Sequence, residues 1–230
     1  MNMNRWQASG IHFFISLLVF CLLLSVILLV WYPGLLFELN DGWEGLRIVI
    51  GVDLVLGPLL TLIVYKADKP SLKFDLTAIA IFQSVCLIAG VWVVYEERPV
   101  VLAFEYDAIY SLSAREYKQY GNDLAELEQF AGSYPKQVFI ELPSDNTEAF
   151  AFSSDKQLNN SPLYGDSQSY KPLPENNAQL IRDAENFKAM GQAAIEQELA
   201  ADCVLVRFIS SSKQGYVCLD ASSRAITGFY

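Results

Sequence analysis

His12 to Trp31 reads HFFISLLVFCLLLSVILLVW, twenty residues without an Asp, Glu, Lys or Arg. As a helix rising 1.5 Å per residue it is about 30 Å long, the thickness of a bilayer's hydrocarbon core. The uncharged stretch extends outward on both sides, from Trp6 to Phe37. Trp6 and Trp31-Tyr32 flank it where interfacial aromatics belong, and Pro33-Gly34 ends it. A cleaved signal peptide has a shorter apolar core, and no small-x-small site precedes Trp31, so an uncleaved span is expected.

Two further runs follow. Ile48 to Tyr65 (IVIGVDLVLGPLLTLIVY) carries one charge, Asp53, and Leu76 to Tyr95 (LTAIAIFQSVCLIAGVWVVY) carries none. One apolar run could be a buried core helix. Three in succession with short loops predict transmembrane helices at about 12–31, 48–65 and 76–95. The composition agrees once it is located. Of the 230 residues 53% are hydrophobic and 18% charged, with mean hydropathy +0.25. The first 95 residues hold five Lys/Arg and six Asp/Glu; the other 135 hold eleven and twenty. Residues 1–97 therefore read as a membrane domain and 98–230 as an acidic soluble-type domain. Such a domain repels phosphate, so no nucleic-acid partner is expected, and the hydrophobicity excludes disorder over most of the chain.

The loop from Lys66 to Asp75 holds Lys66, Lys69 and Lys73, whereas the first loop pairs Arg47 with Glu38, Asp41 and Glu44. By the positive-inside rule the N-terminus and the Lys loop face the cytoplasm. The acidic domain then faces the periplasm, the membrane being a bacterial inner membrane.

Asp53 stands about 8 Å inside helix two from its outer end. An ionisable group there is costly and marks either a functional site or a group satisfied within the bundle. Asp53, Gly57 and Thr61 share a face at i, i+4 and i+8. Pro58 predicts a kink. Helix three offers Gln83, Leu87 and Gly90, and helix one offers Ser16 and, near its inner end, His12. Small and polar residues of this kind suit close helix contact. Asp53, Gly57, Pro58, Thr61, Gln83 and Gly90 are thus candidates for partner contact or bundle packing. A transport pathway is not expected, because internal repeats and a second broken helix are missing.

In the outer half, residues 100–106 and 138–142 read as strands, and Ser113 with Glu116 forms a capping box for a helix to about Tyr120. A second short helix is expected over 123–131, a long polar loop over 153–174, and helical spacing over 177–199. Strands at 203–209, 216–219 and 225–229 predict an antiparallel meander. The expected fold is an all-α membrane part followed by an α+β domain with an antiparallel sheet and helices on one face. If Ile209 pairs with Ser212 around a tight turn, or a longer turn keeps the same register, Cys203 falls opposite Cys218. A disulfide there would stabilise the domain by about 3 kcal/mol in the chain-entropy model; the alternative is two buried thiols. Cys21 and Cys86 lie in apolar helices.

His12 is the one His in the chain. The outer domain therefore has no Ser-His-Asp or Cys-His arrangement and no His-containing zinc site. There is no CxxC pair, and Gly51 to Gly57 lies in an apolar helix rather than a phosphate-cradling loop. No catalytic residue, cofactor, metal or nucleotide is expected, and binding is favoured over catalysis.

The membrane half resembles the TfpX/TfpZ family of type IV pilin accessory proteins. The residues that carry the resemblance are Arg5-Trp6-Gln7-Ala8-Ser9-Gly10-Ile11-His12; Tyr32-Pro33-Gly34 with Leu36-Phe37-Glu38; Val52-Asp53 and Leu56-Gly57-Pro58-Leu59-Leu60-Thr61-Leu62-Ile63; Leu72-Lys73-Phe74-Asp75-Leu76; Gln83; and Arg98-Pro99-Val100. The resemblance implies a non-enzymatic inner-membrane protein that binds type IV pilin and modulates its stability and assembly. Pilins of such systems have one apolar helix in the bilayer and a head outside it. Their buried acid and free amine lie near the cytoplasmic side, so Asp53, near the other side, is not expected to neutralise the amine. The competing readings are a membrane-anchored assembly factor or sensor for another envelope system, and an envelope glycan hydrolase using two carboxylates. The short cytoplasmic parts leave no room for a sensor's output domain.

Overall fold

The computed structural model describes residues 3–230 except 41, 68, 106–107, 144, 159–161, 175–202 and 221–224. These residues fall into two compact units. One comprises 1–31 and 42–96; the other comprises 32–41 and 97–230.

In the first unit, helix one is α1 (Arg5–Val26) continued by a π-helical turn, Ile27–Trp31. It starts seven residues before the expected span, because Asn4 and Gln7 form a capping box: Gln7 N–H donates to Asn4 Oδ1 (2.8 Å) and Asn4 N–H to Gln7 Oε1 (3.0 Å). The short α2 (Leu36–Leu39) belongs to the second unit. Helix two is composite: α3 (Trp43–Val49), a π-helical stretch Ile50–Leu56, and α4 (Gly57–Val64). The irregularity anticipated at Pro58 takes this form. The wide turn ends with Gly57 N–H bonded to Val52 O. Its position just ahead of Pro58 relieves the clash the ring would make with the carbonyl four residues back. Helix three is α5 (Leu72–Glu97). Among the described residues, three helices are long and apolar enough to cross a membrane, and helix two is the most enclosed of them. Helices one and three present Phe14, Leu18, Leu22, Phe74 and Ile88 outward, an apolar surface far larger than water tolerates on a monomer.

The second unit is a seven-stranded sheet among the described residues, ordered β4-β3-β1-β2-β5-β6-β7. Its strands are β1 (Pro99–Glu105), β2 (Ala108–Ser113), β3 (Lys136–Ile140), β4 (Tyr170–Lys171), β5 (Cys203–Ile209), β6 (Gln214–Asp220) and β7 (Ile226–Phe229). The sheet is mixed, not antiparallel as expected. β1 runs parallel to β3, and β2 parallel to β5. The cause is connection length. β1 and β2 form a hairpin, but the chain then passes through α6 (Ala114–Gln119) and a 3₁₀ turn (Leu124–Gln129) before entering beside β1 from the other side. Only β5, β6 and β7 form the anticipated antiparallel meander. β2, β4 and α7 (Asn146–Leu158) were not expected; α7 occupies the start of the supposed polar loop. The helical spacing over 177–199 lies outside the described residues.

Helices were expected on one face of the sheet, yet both faces are covered. Val101, Ala103, Val138 and Ile140 pack on one side with Tyr117, Leu127 and Phe130. Leu102, Phe104, Ile109, Val206 and Phe208 pack on the other with Leu36 and Leu39. The unbroken burial of β1, Pro99 to Glu105, follows from this double cover. The second cover comes from the loop between helices one and two, which belongs to this unit and not to the 1–97 domain expected from the sequence. Leu39 has no exposed surface. Ser111 Oγ donates to Asn40 Oδ1 (2.8 Å), Asn40 Nδ2 to Leu36 O (3.1 Å), and Ser210 Oγ to Leu39 O (2.8 Å). These bonds satisfy polar groups that burial would otherwise leave unpaired.

On the first face the capping box of α6 forms as expected, with Glu116 N–H donating to Ser113 Oγ (3.2 Å) and Ser113 N–H to Glu116 Oε2 (2.9 Å). Beside it lies a cluster of phenols. Tyr110 stacks on Tyr164 with centroids 4.1 Å apart, and Tyr117 lies 6.3 Å from Tyr170. Burial, aided by Glu126, pushes the Tyr117 phenol up to about 12. Burial raises Tyr164 and Tyr170 further, with neighbouring phenols adding to it.

The β5–β6 register differs from the one assumed for the cysteines. Ile209 pairs with Gln214, so Cys203 stands opposite Asp220 and Cys218 opposite Leu205. The turn spans Ser210 to Lys213, with Ser210 N–H bonded to Lys213 O (2.8 Å) and Lys213 N–H to Ser210 Oγ (3.0 Å). That turn is wider than a tight pairing of 209 with 212. The cysteines are therefore diagonal neighbours on one face, not directly opposed. Cys218 is disulfide-bonded; the side chain of Cys203 lies outside the described residues.

Candidate functional site

Helix two supplies the centre of the first unit's polar cluster. Asp53, in the π-helical stretch, is 8% exposed and Thr61 3%. Gly57 and Pro58 between them are also buried. Gln83 of helix three, 8% exposed, meets two of these residues. Its side chain interacts with the Asp53 carboxyl. Its amide also rests against Gly57, where a Cβ would collide with it. Glycine is needed here for space, which lets a polar side chain reach across a helix interface.

Helix one closes the other side. His12 Nδ1 and Thr61 Oγ1 share a hydrogen bond of 2.6 Å, and Ser9 Oγ donates to Pro58 O at 2.8 Å. Four of the six candidates, Asp53, Gly57, Thr61 and Gln83, thus belong to one cluster that reaches His12. Pro58 contributes its carbonyl. Gly90 stands apart: a Cβ there would lie 2.9 Å from Val49 Cγ2, so it serves close packing. Ser9 was not singled out. Its place three residues before His12, on one helical face, was the available signal.

The cluster has one unsatisfied atom. Asp53 Oδ2 is buried and has no hydrogen-bond partner. Asp53 lines a groove of about 190 Å³ with His12, Ser16, Val19, Gln83 and Ser84. The helix-one residues of this lining, 12, 15, 16, 19 and 20, are spaced i, i+3, i+4, i+7, i+8, and helix three contributes Ala80, Gln83, Ser84 and Leu87. Helix two forms the floor through Val49 and Asp53. The arrangement is chemically simple: a carboxyl, an amide, hydroxyls and an imidazole in an apolar setting, fitted to hold hydrogen-bonding groups. Among the described residues no group of three His, Cys, Asp or Glu is placed to hold a metal ion.

The sheet unit has a larger groove of about 770 Å³, lined by Gly34, Leu36, Leu102, Tyr134, Leu173 and Ile226 among others. Gly34 turns the chain with φ +66°, a conformation that favours glycine. The wall from Phe130 to Pro135 is held by the buried Lys136, whose Nζ donates to Phe130 O (2.9 Å) and Gly132 O (2.7 Å). No sequence signal pointed to this groove, because its lining comes from five separate stretches of chain.

Residues 2–34 match the model of a family described as Fimbrial assembly protein FimB. Over 119 residues, 49% of this chain, the sequence is 35% identical to the fimbrial assembly protein of serogroups C1 and C2 of Dichelobacter nodosus, and the matched stretch is 91% of that protein. The fimbrial assembly proteins of serogroup I and serogroup E1 of the same organism are 35% and 34% identical over the same length, which is 46% of each. The matched stretch thus spans about half the length of these two relatives. No solved structure matches the chain.

Proposed function

The chain belongs to the family of fimbrial assembly proteins, and from that membership we propose that it is a non-enzymatic accessory protein of the TfpX/TfpZ kind, which binds type IV pilin in the inner membrane and modulates its stability and assembly. A role in fimbrial assembly rests on the relatives' names. The pilin partner rests on the resemblance of the membrane half and on the chemistry of the groove. A pilin waiting for assembly needs its apolar helix sheltered, and a groove between helices one and three, with a polar floor, can receive a side chain of that helix.

The observation that carries the reading is the composite second unit. Residues 32–41 and 97–230 fold around one sheet, and helices two and three lie between them in sequence. Two segments in one core must share a compartment. An even number of crossings, helix two inward and helix three outward, meets that requirement. This supports three spans with the N-terminus and the sheet unit on opposite sides of the membrane, and the Lys loop then assigns the sheet unit to the periplasm.

The test is crosslinking in cells. A photoreactive residue at Val19, which lines the groove, should capture pilin; one at Ile63, 70% exposed and outside the groove lining, should not. Absence of pilin adducts at Val19 in cells that make pilin would overturn the reading.

A further inference from the structure

Resting on the reading that the groove docks a pilin helix, we propose that the groove recognises a hydroxyl: a Ser or Thr side chain on the docked helix hydrogen-bonds Asp53 Oδ2. The argument begins with the orphan atom. Asp53 is 8% exposed, its Oδ2 has no partner, and it lines the groove. Lipid supplies no donor, and an unsatisfied polar atom at such a depth is costly. Its partner must therefore arrive with whatever fills the groove. At about 190 Å³ the space admits the tip of a side chain and not a helix backbone.

The lining chooses among donors. Asp53 is the one acidic residue of the groove; its other polar residues are His12, Ser16, Gln83 and Ser84. A docked Lys or Arg would carry its own insertion cost and have a single acid to meet. A hydroxyl travels cheaply in an apolar helix, because it can bond a carbonyl of its own preceding turn, as Ser84 Oγ does to Ala80 O (2.8 Å) and Ser25 Oγ to Cys21 O (2.8 Å) in this chain. It also donates to a carboxylate and accepts from a carboxylic acid, so it satisfies Oδ2 in either protonation state.

The experiment uses the full chain in cells with pilin co-expressed, and reads the yield of pilin adduct from the photoreactive residue at Val19. Asp53→Leu should lower the yield about fivefold, the scale of one hydrogen bond's net contribution, while Asp53→Asn should stay within about twofold. In parallel, each Ser and Thr of the pilin's apolar helix is changed to Ala against the unaltered chain, which needs no variant of this protein to fold. One position should reproduce the loss, and should add nothing to Asp53→Leu. If no hydroxyl position alters the yield, or Asp53→Leu retains it, the hydroxyl contact is overturned and the docking stands. If Val19 captures no pilin, docking fails and the hydroxyl contact with it.

Discussion

Leu39→Ala isolates the contribution of the first loop to the sheet domain. Leu39 is fully buried against Leu102, Phe104, Val206 and Phe208, all of them in strands from the far side of two apolar helices in sequence. Truncating a Leu in such a core costs about 2–5 kcal/mol, from lost transfer energy and the cavity left behind. A domain of this size has about 5–15 kcal/mol in total. With a urea m-value of about 2 kcal/mol per molar, the midpoint falls by roughly 1–2.5 M. The assay is pulse proteolysis of the full chain in detergent micelles across a urea series, following the fragment that contains β5 to β7. Val55→Ala is the control, since Val55 is 58% exposed in helix two and should leave that midpoint in place. A second form of the same test is additive. Residues 98–230 alone should be protease-sensitive, and a chain carrying 32–41 fused through a flexible linker should recover protection. If Leu39→Ala leaves the midpoint unchanged, the loop does not complete the core, and the shared-compartment argument for the topology fails.

Three further outcomes follow from the geometry. Gly57→Leu drives a side chain into Gln83, so overpacking of about 1–3 kcal/mol should lower the level of membrane-inserted protein and its pilin adducts, whereas Gly51→Leu, with open space at its Cβ, should not. Alkali should unfold the sheet domain. Tyr117, Tyr164 and Tyr170 have raised folded-state values, so they contribute stability that is complete below the ordinary phenol value of 10 and is lost as pH rises through about 12 for Tyr117. Tyrosinate absorbance at 295 nm and circular dichroism should change together above pH 10; titration without unfolding would refute this. Mass mapping without reduction should recover Cys203 and Cys218 in one bonded pair, with Cys21 and Cys86 alkylatable after denaturation; alkylation of Cys203 in the unreduced chain would refute the pairing.

The three long apolar helices were readable because one rule runs along each entire segment: every residue in a stretch of about 20 is tolerable in hydrocarbon. The cluster around Asp53 was readable in part for a related reason. A carboxyl in such a stretch needs nearby partners; Gly57 and Thr61 share its helix face by spacing, and helix three carries its own polar residue, Gln83. The end of helix one at Asn4 was missed because its capping residues lie outside the apolar run. In the sheet domain, local pattern identified strands but not their neighbours. The parallel pairing of β1 with β3 depends on a connection through α6 and the 3₁₀ turn, and nothing in a strand's own composition states which strand will lie beside it. The cysteine register failed by two residues because a four-residue turn, held by Ser210 and Lys213, replaced the assumed tight one.

The first loop is the most instructive miss, because its own residues were informative. Leu35-Leu36-Phe37-Glu38-Leu39 follows a helix-ending Pro33-Gly34, and four apolar residues in five are too many for a solvated loop of ten. Read as part of the membrane half, they had no surface to cover. β1, seven residues buried without alternation, had the opposite problem: it needed cover on both faces, and helices after it supplied only one. Each anomaly answers the other, since an apolar loop without a core and a strand face without a cover are the two sides of one contact. The same contact constrains the topology more tightly than charge counting does. The positive-inside rule is a statistical bias in insertion, whereas a shared core is an all-or-none requirement on where two segments end up. A variant that removes one crossing, by deletion of Leu76 to Tyr95, should therefore lose protein through proteolysis rather than accumulate with a folded sheet domain, because a single crossing between the two segments would separate Leu39 from Phe104 and Phe208. Stable accumulation of a protease-resistant sheet domain with the first loop on the opposite side of the membrane would show that the core does not need the loop.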